Sequence, residues 1–152
     1  MTEKKESFRL AGIKLDRTTT NENNQASTDC GTHWQKFEKE NIFDRIPGKL
    51  SNEIYAVYFE YEGDETKPYS YFIGCKVAET ASIPKELQSL EIPLQNYIKY
   101  TSKGVMTGCI AETWKQIWNA DINRKFGFDF EIYDERSRDW NNAEVDIYIS
   151  AT

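Results

Sequence analysis

The sequence is poor in residues that bind metals or form disulfides. It has one histidine, His33, and three widely separated cysteines, Cys30, Cys75 and Cys109. A zinc site needs closely spaced ligand pairs such as Cys-x-x-Cys, and a disulfide framework usually has an even number of cysteines. We therefore expect no metal, no cofactor and three reduced thiols. His33 stands at the start of a predicted helix, and we interpret it as a surface or capping residue.

Positive charge is also scarce. The chain has 19 Lys and Arg against 25 Asp and Glu, for a formal net charge of −6. A nucleic-acid partner requires clustered basic residues, so this class of function is disfavoured. Apolar runs are much shorter than the ~20 residues that span a bilayer. Residues 1–7 lack the hydrophobic stretch of a secretory signal and are predicted to be an N-terminal tail. We expect a cytoplasmic protein without membrane association.

Aromatic residues, by contrast, are abundant. They make up 14% of the chain, with 4 Trp, 9 Tyr and 8 Phe. A length of 152 residues is typical of one domain with one substantial core. The aromatic content exceeds what such a core requires and suggests a binding surface.

The hydrophobic pattern predicts strands and helices in a repeating order. A strand, a helix and a hairpin are followed by a second strand, helix and hairpin. The polar stretch 18–28 predicts a mobile loop, and 79–94, with two prolines, predicts a connector. Strands are predicted over 8–15, 53–62, 69–77, 95–102, 126–133 and 144–150, and helices over 29–43 and 108–122.

The repeated order indicates a duplicated β-α-β-β unit. A Phe-Glu pair occurs in a strand of each half, at Phe59-Glu60 and at Phe130-Glu131. Chance similarity of two aromatic strands is the alternative explanation. One unit alone would leave its sheet uncovered, so we predict that both pack into one α+β domain with a single antiparallel sheet and two main helices. The domain is predicted to cover 8–152, with halves at about 8–78 and 95–150.

Acidic and phenolic side chains alternate with apolar ones along the predicted strands. Strand side chains alternate between faces, so Phe130 and Ile132 are expected in the core under the helices, together with Val145 and Ile147 of the closing strand. Glu131 and Tyr133 are then expected on the opposite face. The same polar face is expected to include Asp146 and Tyr148. The first hairpin shows the same mixture at Tyr58 and Glu60.

A carboxylate surrounded by aromatic rings has a definite chemical use. Burial disfavours its charged form, and an arriving cation restores that charge while it stacks on the rings. The pattern therefore favours a site for flat, lipophilic cations. Two alternatives remain open: a solvated face of an antiparallel sheet, and a carboxylate pair that acts as acid and base. Trp34, Trp114 and Trp118 are interpreted either as core residues or as walls of the site.

Five segments together resemble a known family. They occur in the order EIYAVYFEYEGDETKPYSYFIGCKV, IPLQNYIKYTSKG, ETWKQIWN, FDFEIYDE and EVDIYIS, and they cover most of residues 8–150. This ordered set is similar to the GyrI-like effector-binding domain of AraC-type and multidrug-responsive transcription activators, particularly its free-standing members. The resemblance implies two halves with a cleft between them for amphipathic or cationic molecules. It also implies a glutamate near the cleft floor, at the position of Glu131, and an aromatic wall at Tyr133 and Tyr148. The family often has Glu where this chain has Asp146, and a closing IYIP where this chain has IYIS.

From these features we expect a stand-alone domain that binds an amphipathic or cationic small molecule and has no helix-turn-helix for DNA. A second hypothesis is hydrolysis of a reactive electrophile, with Glu131 activating water and Tyr133 donating a proton. A third is a protein partner such as DNA gyrase, which the resemblance implies and an acidic exterior would favour. The predicted ligand-binding residues are Glu131, Tyr133, Asp146, Tyr148, Tyr58, Glu60, Trp34, Trp114 and Trp118.

Overall fold

The computed structural model of the chain describes residues 2–152, which form strands and helices in the repeating order that the sequence predicts. No helix within 2–152 has the length and apolar character needed to cross a membrane. The helices are α1 (Gln25–Lys39), α2 (Ile42–Arg45) and α3 (Met106–Asn119). The strands are β1 (Glu3–Lys5), β2 (Phe8–Lys14), β3 (Ile54–Phe59), β4 (Ser70–Val77), β5 (Gln88–Ile92), β6 (Gln95–Gly104), β7 (Asp129–Tyr133) and β8 (Ala143–Ala151).

The strands form one curled antiparallel sheet in the order β1-β6-β8-β7-β3-β4-β2-β5. The first half contributes β2, α1, β3 and β4, and the second contributes β6, α3, β7 and β8. Their strand orders mirror each other about the pairing of β3 with β7, where Ala56 lies opposite Glu131. The predicted α+β class and the duplicated β-α-β-β order are confirmed.

Both faces of the sheet are buried, contrary to the simple alternation expected from the sequence. One face carries α1 and α2 on the first half and α3 on the second. The other face forms an aromatic core of its own that includes Phe130, Ile132 and Tyr148. The prediction that Phe130 and Ile132 lie under the helices is therefore wrong. In β8 the prediction is correct, because Val145 and Ile147 pack against α3.

Two strands lie in segments predicted to be a tail and a connector. Glu3–Lys5 pairs with β6 at one edge of the sheet, and Gln88–Ile92 pairs with β2 at the other. Edge strands such as these are held by backbone hydrogen bonds along one side, so they need little apolar alternation. The sequence of β1, Glu-Lys-Lys, has none.

The first helix also begins earlier than predicted. A single 3-10 turn at Glu22–Asn24 leads into α1, so part of the expected mobile loop is helical. His33 is not a surface residue, since its side chain is buried and its Nε2 lies 2.9 Å from the carbonyl oxygen of Ile13. This contact ties α1 to β2.

Candidate functional site

Glu131 lies at the seam where the two halves of the sheet meet. It is only 1% exposed, and no lysine, arginine or histidine among residues 2–152 forms a salt bridge with it. Three neutral donors contact its carboxylate instead. Tyr58 Oη and Trp114 Nε1 donate to Oε2 at 2.8 and 2.7 Å, and Tyr133 Oη donates to Oε1 at 2.7 Å. A buried carboxylate is thus held without a compensating positive charge.

The titration behaviour of this cluster follows from its burial. Desolvation raises the pKa of Glu131 above its ordinary value of 4.5, against the three hydrogen bonds that favour the ionised form. Desolvation also raises the pKa values of Tyr58 and Tyr133, and the nearby Glu131 charge adds to this effect. Both phenols therefore remain protonated donors at neutral pH.

The raised pKa of Glu131 gives a test based on stability. Below pH 4.5 this group is protonated in both the unfolded and the folded protein, and its contribution to stability is fully present. That contribution is lost as the pH rises to the folded-state pKa, at up to about 1.4 kcal/mol per pH unit. We expect the unfolding free energy of the wild type minus that of Glu131→Gln to fall over this window in urea titrations. A difference that does not vary with pH would contradict the raised pKa.

Aromatic rings surround the carboxylate on both sides of the seam. Tyr58 packs edge-to-face on Trp114 at 5.1 Å between centroids, and Trp34 packs on Tyr133 at 5.0 Å. Tyr71 lies 5.1 Å from Tyr58 and accepts a hydrogen bond from Trp34 Nε1 at 2.8 Å. Rings from α1, α3 and the central strands thus form a continuous cage.

A cavity of about 410 Å³ opens in front of this cage, between α1 and α3. Tyr58 and Trp114 form part of its wall. Glu131 does not line the cavity and lies behind these two residues, which donate hydrogen bonds to it. The cavity is lined by Asn21, Asn24, Ala26, Ser27, Cys30, Tyr58, Tyr61, Glu65, Tyr69, Met106, Thr107, Ile110, Ala111, Trp114, Lys115, Trp118 and Arg124. A volume of this size suits a drug-sized molecule.

The nine residues predicted from the sequence fall into three groups. The first group lines the cavity: Tyr58, Trp114 and Trp118. The second forms the layer behind the wall: Glu131, Tyr133 and Trp34. The third lies away from the cavity: Asp146, Tyr148 and Glu60.

The register of β7 with β8 explains why two predicted residues are absent from the site. Phe130 pairs with Tyr148, and Ile132 pairs with Asp146. Directly paired residues share a face, so Asp146 and Tyr148 lie on the face opposite Glu131. The expectation that they share its face is wrong.

These residues have other contacts in the fold. Asp146 accepts hydrogen bonds from Arg136 Nη2 at 2.8 Å and from Thr101 Oγ1 at 3.1 Å. Tyr148 stacks on Phe130 in the second core. Glu60 lies beyond the end of β3 and pairs with Lys14 at 2.9 Å. The two Phe-Glu pairs therefore do not place their glutamates in equivalent positions.

Several lining residues were missed by the sequence analysis. Tyr61 and Tyr69 belong to the predicted hairpin, but which face they occupy depends on the turn between its strands. Asn21 and Asn24 come from the polar stretch 18–28, which the sequence predicts to be a mobile loop. Asn21 accepts from Tyr69 Oη and donates to the carbonyl of Glu65, which ties this stretch to the hairpin. Long-range contacts of this kind leave no local sequence signal.

Metal chemistry has no candidate centre in the described chain. Residues 2–152 contain no group of three His, Cys, Asp or Glu side chains placed to hold a metal ion. Cys30 lies at the cavity, but burial raises the pKa of its thiol well above its ordinary value. The site is therefore a cavity walled by aromatic rings with a carboxylate behind them.

Sequence comparison finds a matching family model and similar bacterial proteins. Residues 2–150 match the family model Cass2, described as integron-associated effector binding protein. YobU of Bacillus subtilis, named as a transcriptional regulator protein, is 31% identical over 121 residues, which are 77% of this chain and 76% of YobU. The transcriptional regulator BrlR of Pseudomonas aeruginosa is 30% identical over 127 residues, 78% of this chain but only 45% of BrlR, so the chain spans less than half of that relative.

Solved structures show the same fold. A structure of SAV2435 bound to tetraphenylphosphonium superposes with a TM-score of 0.78 at 18% identity, covering 100% of this chain and 93% of that one. An integron cassette protein from Vibrio cholerae superposes with a TM-score of 0.71 at 21% identity, covering 100% and 95%. At these identities the likeness is one of fold.

Proposed function

Because this chain belongs to the Cass2 family of integron-associated effector binding proteins, we propose that its effector is a small aromatic cation held in the cavity between α1 and α3. Glu131 is the counter-charge for this cation. Tyr58, Trp114 and Trp118 provide the rings on which it stacks.

One observation carries the proposal: a buried carboxylate without a cationic partner lies directly behind the aromatic wall of a drug-sized cavity. Such a group loses hydration without a compensating charge. At an effective dielectric constant of about 20, a cation about 6 Å from the carboxylate is attracted to it by roughly 2–3 kcal/mol.

The ring geometry supports the same ligand class. Tyr58 packs edge-to-face on Trp114 with an interplanar angle of 68°, and both residues line the cavity. Cation–π contact adds roughly 0.5–2 kcal/mol when the cation is desolvated. The neighbour SAV2435 was solved with tetraphenylphosphonium, which is an aromatic cation, and this supports the assignment by analogy.

The hydrolase hypothesis, in which Glu131 activates water and Tyr133 donates a proton, is less well supported by this arrangement. Both oxygens of Glu131 accept hydrogen bonds from protein donors, and the Tyr133 hydroxyl is already used on Oε1. The hydrolase and protein-partner hypotheses stay predictions. A cytoplasmic location and a role in transcription also stay predictions, although YobU and BrlR are named as regulators.

Intrinsic tryptophan fluorescence provides the test, since Trp114 and Trp118 line the cavity. We expect N-methyl-phenylpyridinium to quench the emission saturably. Its uncharged isostere methylbiphenyl should bind at least about tenfold more weakly, because it lacks the attraction to Glu131. Equal affinities for the two probes, or no saturable response to either, would contradict the proposal.

A further inference from the structure

Three charged residues line the cavity, Glu65, Lys115 and Arg124. Arg124 lies in the connection between α3 and β7. The backbone there is held in place, because Arg124 forms an isolated bridge with Ala151 and the amide of Lys125 donates to the carbonyl of Ser150 at 2.9 Å. The Arg124 side chain is only 7% exposed. Its position is thus set by the end of β8.

The guanidinium is only partly satisfied by the protein. Its Nη2 donates to Asp129 Oδ2 at 2.9 Å, and its Cζ lies 4.2 Å from the centroid of the Phe126 ring. Its Nε and Nη1 atoms are buried and have no hydrogen-bond partner within residues 2–152. A buried polar group without a partner is costly and calls for an explanation.

Asp129 does not supply the missing acceptor. Its Oδ1 accepts from the amide and the hydroxyl of Ser150 at 2.7 and 2.8 Å, and its Oδ2 accepts from Tyr61 as well as from Arg124. The carboxylate is therefore occupied on both oxygens. The unpaired guanidinium nitrogens are buried, and they belong to a residue that lines the cavity wall.

The arrangement gives the cavity two unlike poles. Asp129, which holds Arg124, and Glu131 stand two residues apart on β7, about 7 Å between Cα atoms. One end of the cavity backs onto a carboxylate without a cationic partner, and the other is lined by Arg124, whose buried Nε and Nη1 have no hydrogen-bond partner. A molecule with opposite charges a few ångströms apart complements both ends.

We propose that Arg124 binds an anionic oxygen of the effector, so that the preferred ligand is a zwitterion, an aromatic cation that also carries a carboxylate or a similar acidic group. This inference rests on the proposed function, because Glu131 supplies the cationic pole. Guanidinium–carboxylate hydrogen bonds are charge-assisted and strong, and they would satisfy the buried donors.

The test compares N-methyl-phenylpyridinium with its carboxyphenyl derivative by fluorescence and calorimetric titration. We expect wild-type protein to bind the carboxylated probe at least about tenfold more tightly. Arg124→Lys keeps the positive charge beside Asp129 but removes the planar set of donors. In this variant the ratio of the two affinities, carboxylated probe over parent cation, should fall to about twofold or less. The double variant Arg124→Met with Asp129→Asn leaves no unpaired charge and should abolish the preference.

Three results would overturn the role of Arg124, and one of them would also overturn the proposed function. Tight binding of the parent cation with no preference for the carboxylated probe would overturn the role of Arg124 and leave the proposed function standing. A preference that persists in both variants would likewise overturn it. No saturable binding of either probe would overturn both proposals.

Discussion

Replacing Glu131 with Gln is expected to weaken binding of N-methyl-phenylpyridinium about 30- to 100-fold. The substitution removes the charge behind the aromatic wall and with it roughly 2–3 kcal/mol of attraction. Shape and volume are nearly conserved. The amide oxygen of the new side chain can still accept hydrogen bonds from Tyr58 and Trp114, which donate to Oε2 of Glu131 in the wild type. Titration calorimetry on wild type and variant measures the difference.

Two controls make this result specific to charge. Methylbiphenyl should bind wild type and Glu131→Gln with affinities within about twofold, because it has no charge to lose. Glu60→Gln is a matched variant, since Glu60 also follows a phenylalanine but lies outside the cavity and pairs with Lys14. Its cation affinity should equal that of wild type. If Glu131→Gln weakened both probes equally, the charge role of Glu131 would be wrong and a packing role would explain the loss.

Cation affinity should also rise steeply with pH over the range in which Glu131 ionises. Burial raises the pKa of this group above 4.5 in the free protein, so part of the population is protonated in mildly acidic solution. A bound cation stabilises the ionised form and lowers the pKa, so binding releases a proton. Affinity is therefore low at acidic pH, increases up to tenfold per pH unit below the free-protein pKa, and becomes constant above it.

Titrations with N-methyl-phenylpyridinium from pH 4.5 upward measure this profile, because the quaternary nitrogen has no proton to lose. The Glu131→Gln variant should show affinity that does not vary with pH over the same range. Calorimetry in buffers of different ionisation enthalpy should detect proton release in the wild type only. A wild-type profile as flat as that of the variant would show that Glu131 is already fully ionised or does not contact the ligand electrostatically.

The fold was largely predictable from local patterns. The helix predicted over 108–122 corresponds to α3, and the six predicted strands correspond to β2, β3, β4, β6, β7 and β8. The edge strands Glu3–Lys5 and Gln88–Ile92 were missed, because an edge strand is specified by its neighbour's free backbone groups more than by its own side chains. The duplication could also be predicted from the sequence, because each half repeats the same order of strand and helix periodicities.

The candidate site was only partly predictable. Glu131, Tyr58 and Trp114 stood out as a carboxylate and rings, and the structure brings them within hydrogen-bond distance. Asp146 and Tyr148 stood out equally, yet they lie on the other face. Alternation within one strand shows which of its own side chains share a face. It does not show which side chains of the neighbouring strand lie on the same face of the sheet.

The sequence by itself determined the α+β class, the repeated unit, the aromatic excess and the choice of a glutamate on a central strand, since these depend on composition and local spacing. Only the tertiary structure decided which residues meet. The pairing of Phe130 with Tyr148 places Glu131 on the face of the sheet that lies toward the cavity and places Asp146 and Tyr148 on the opposite face. The same long-range packing left Glu131 without a cation and Arg124 with unpaired donors. Strand register and burial arise from contacts between distant residues, and those contacts turn a list of charged and aromatic residues into a site with two poles.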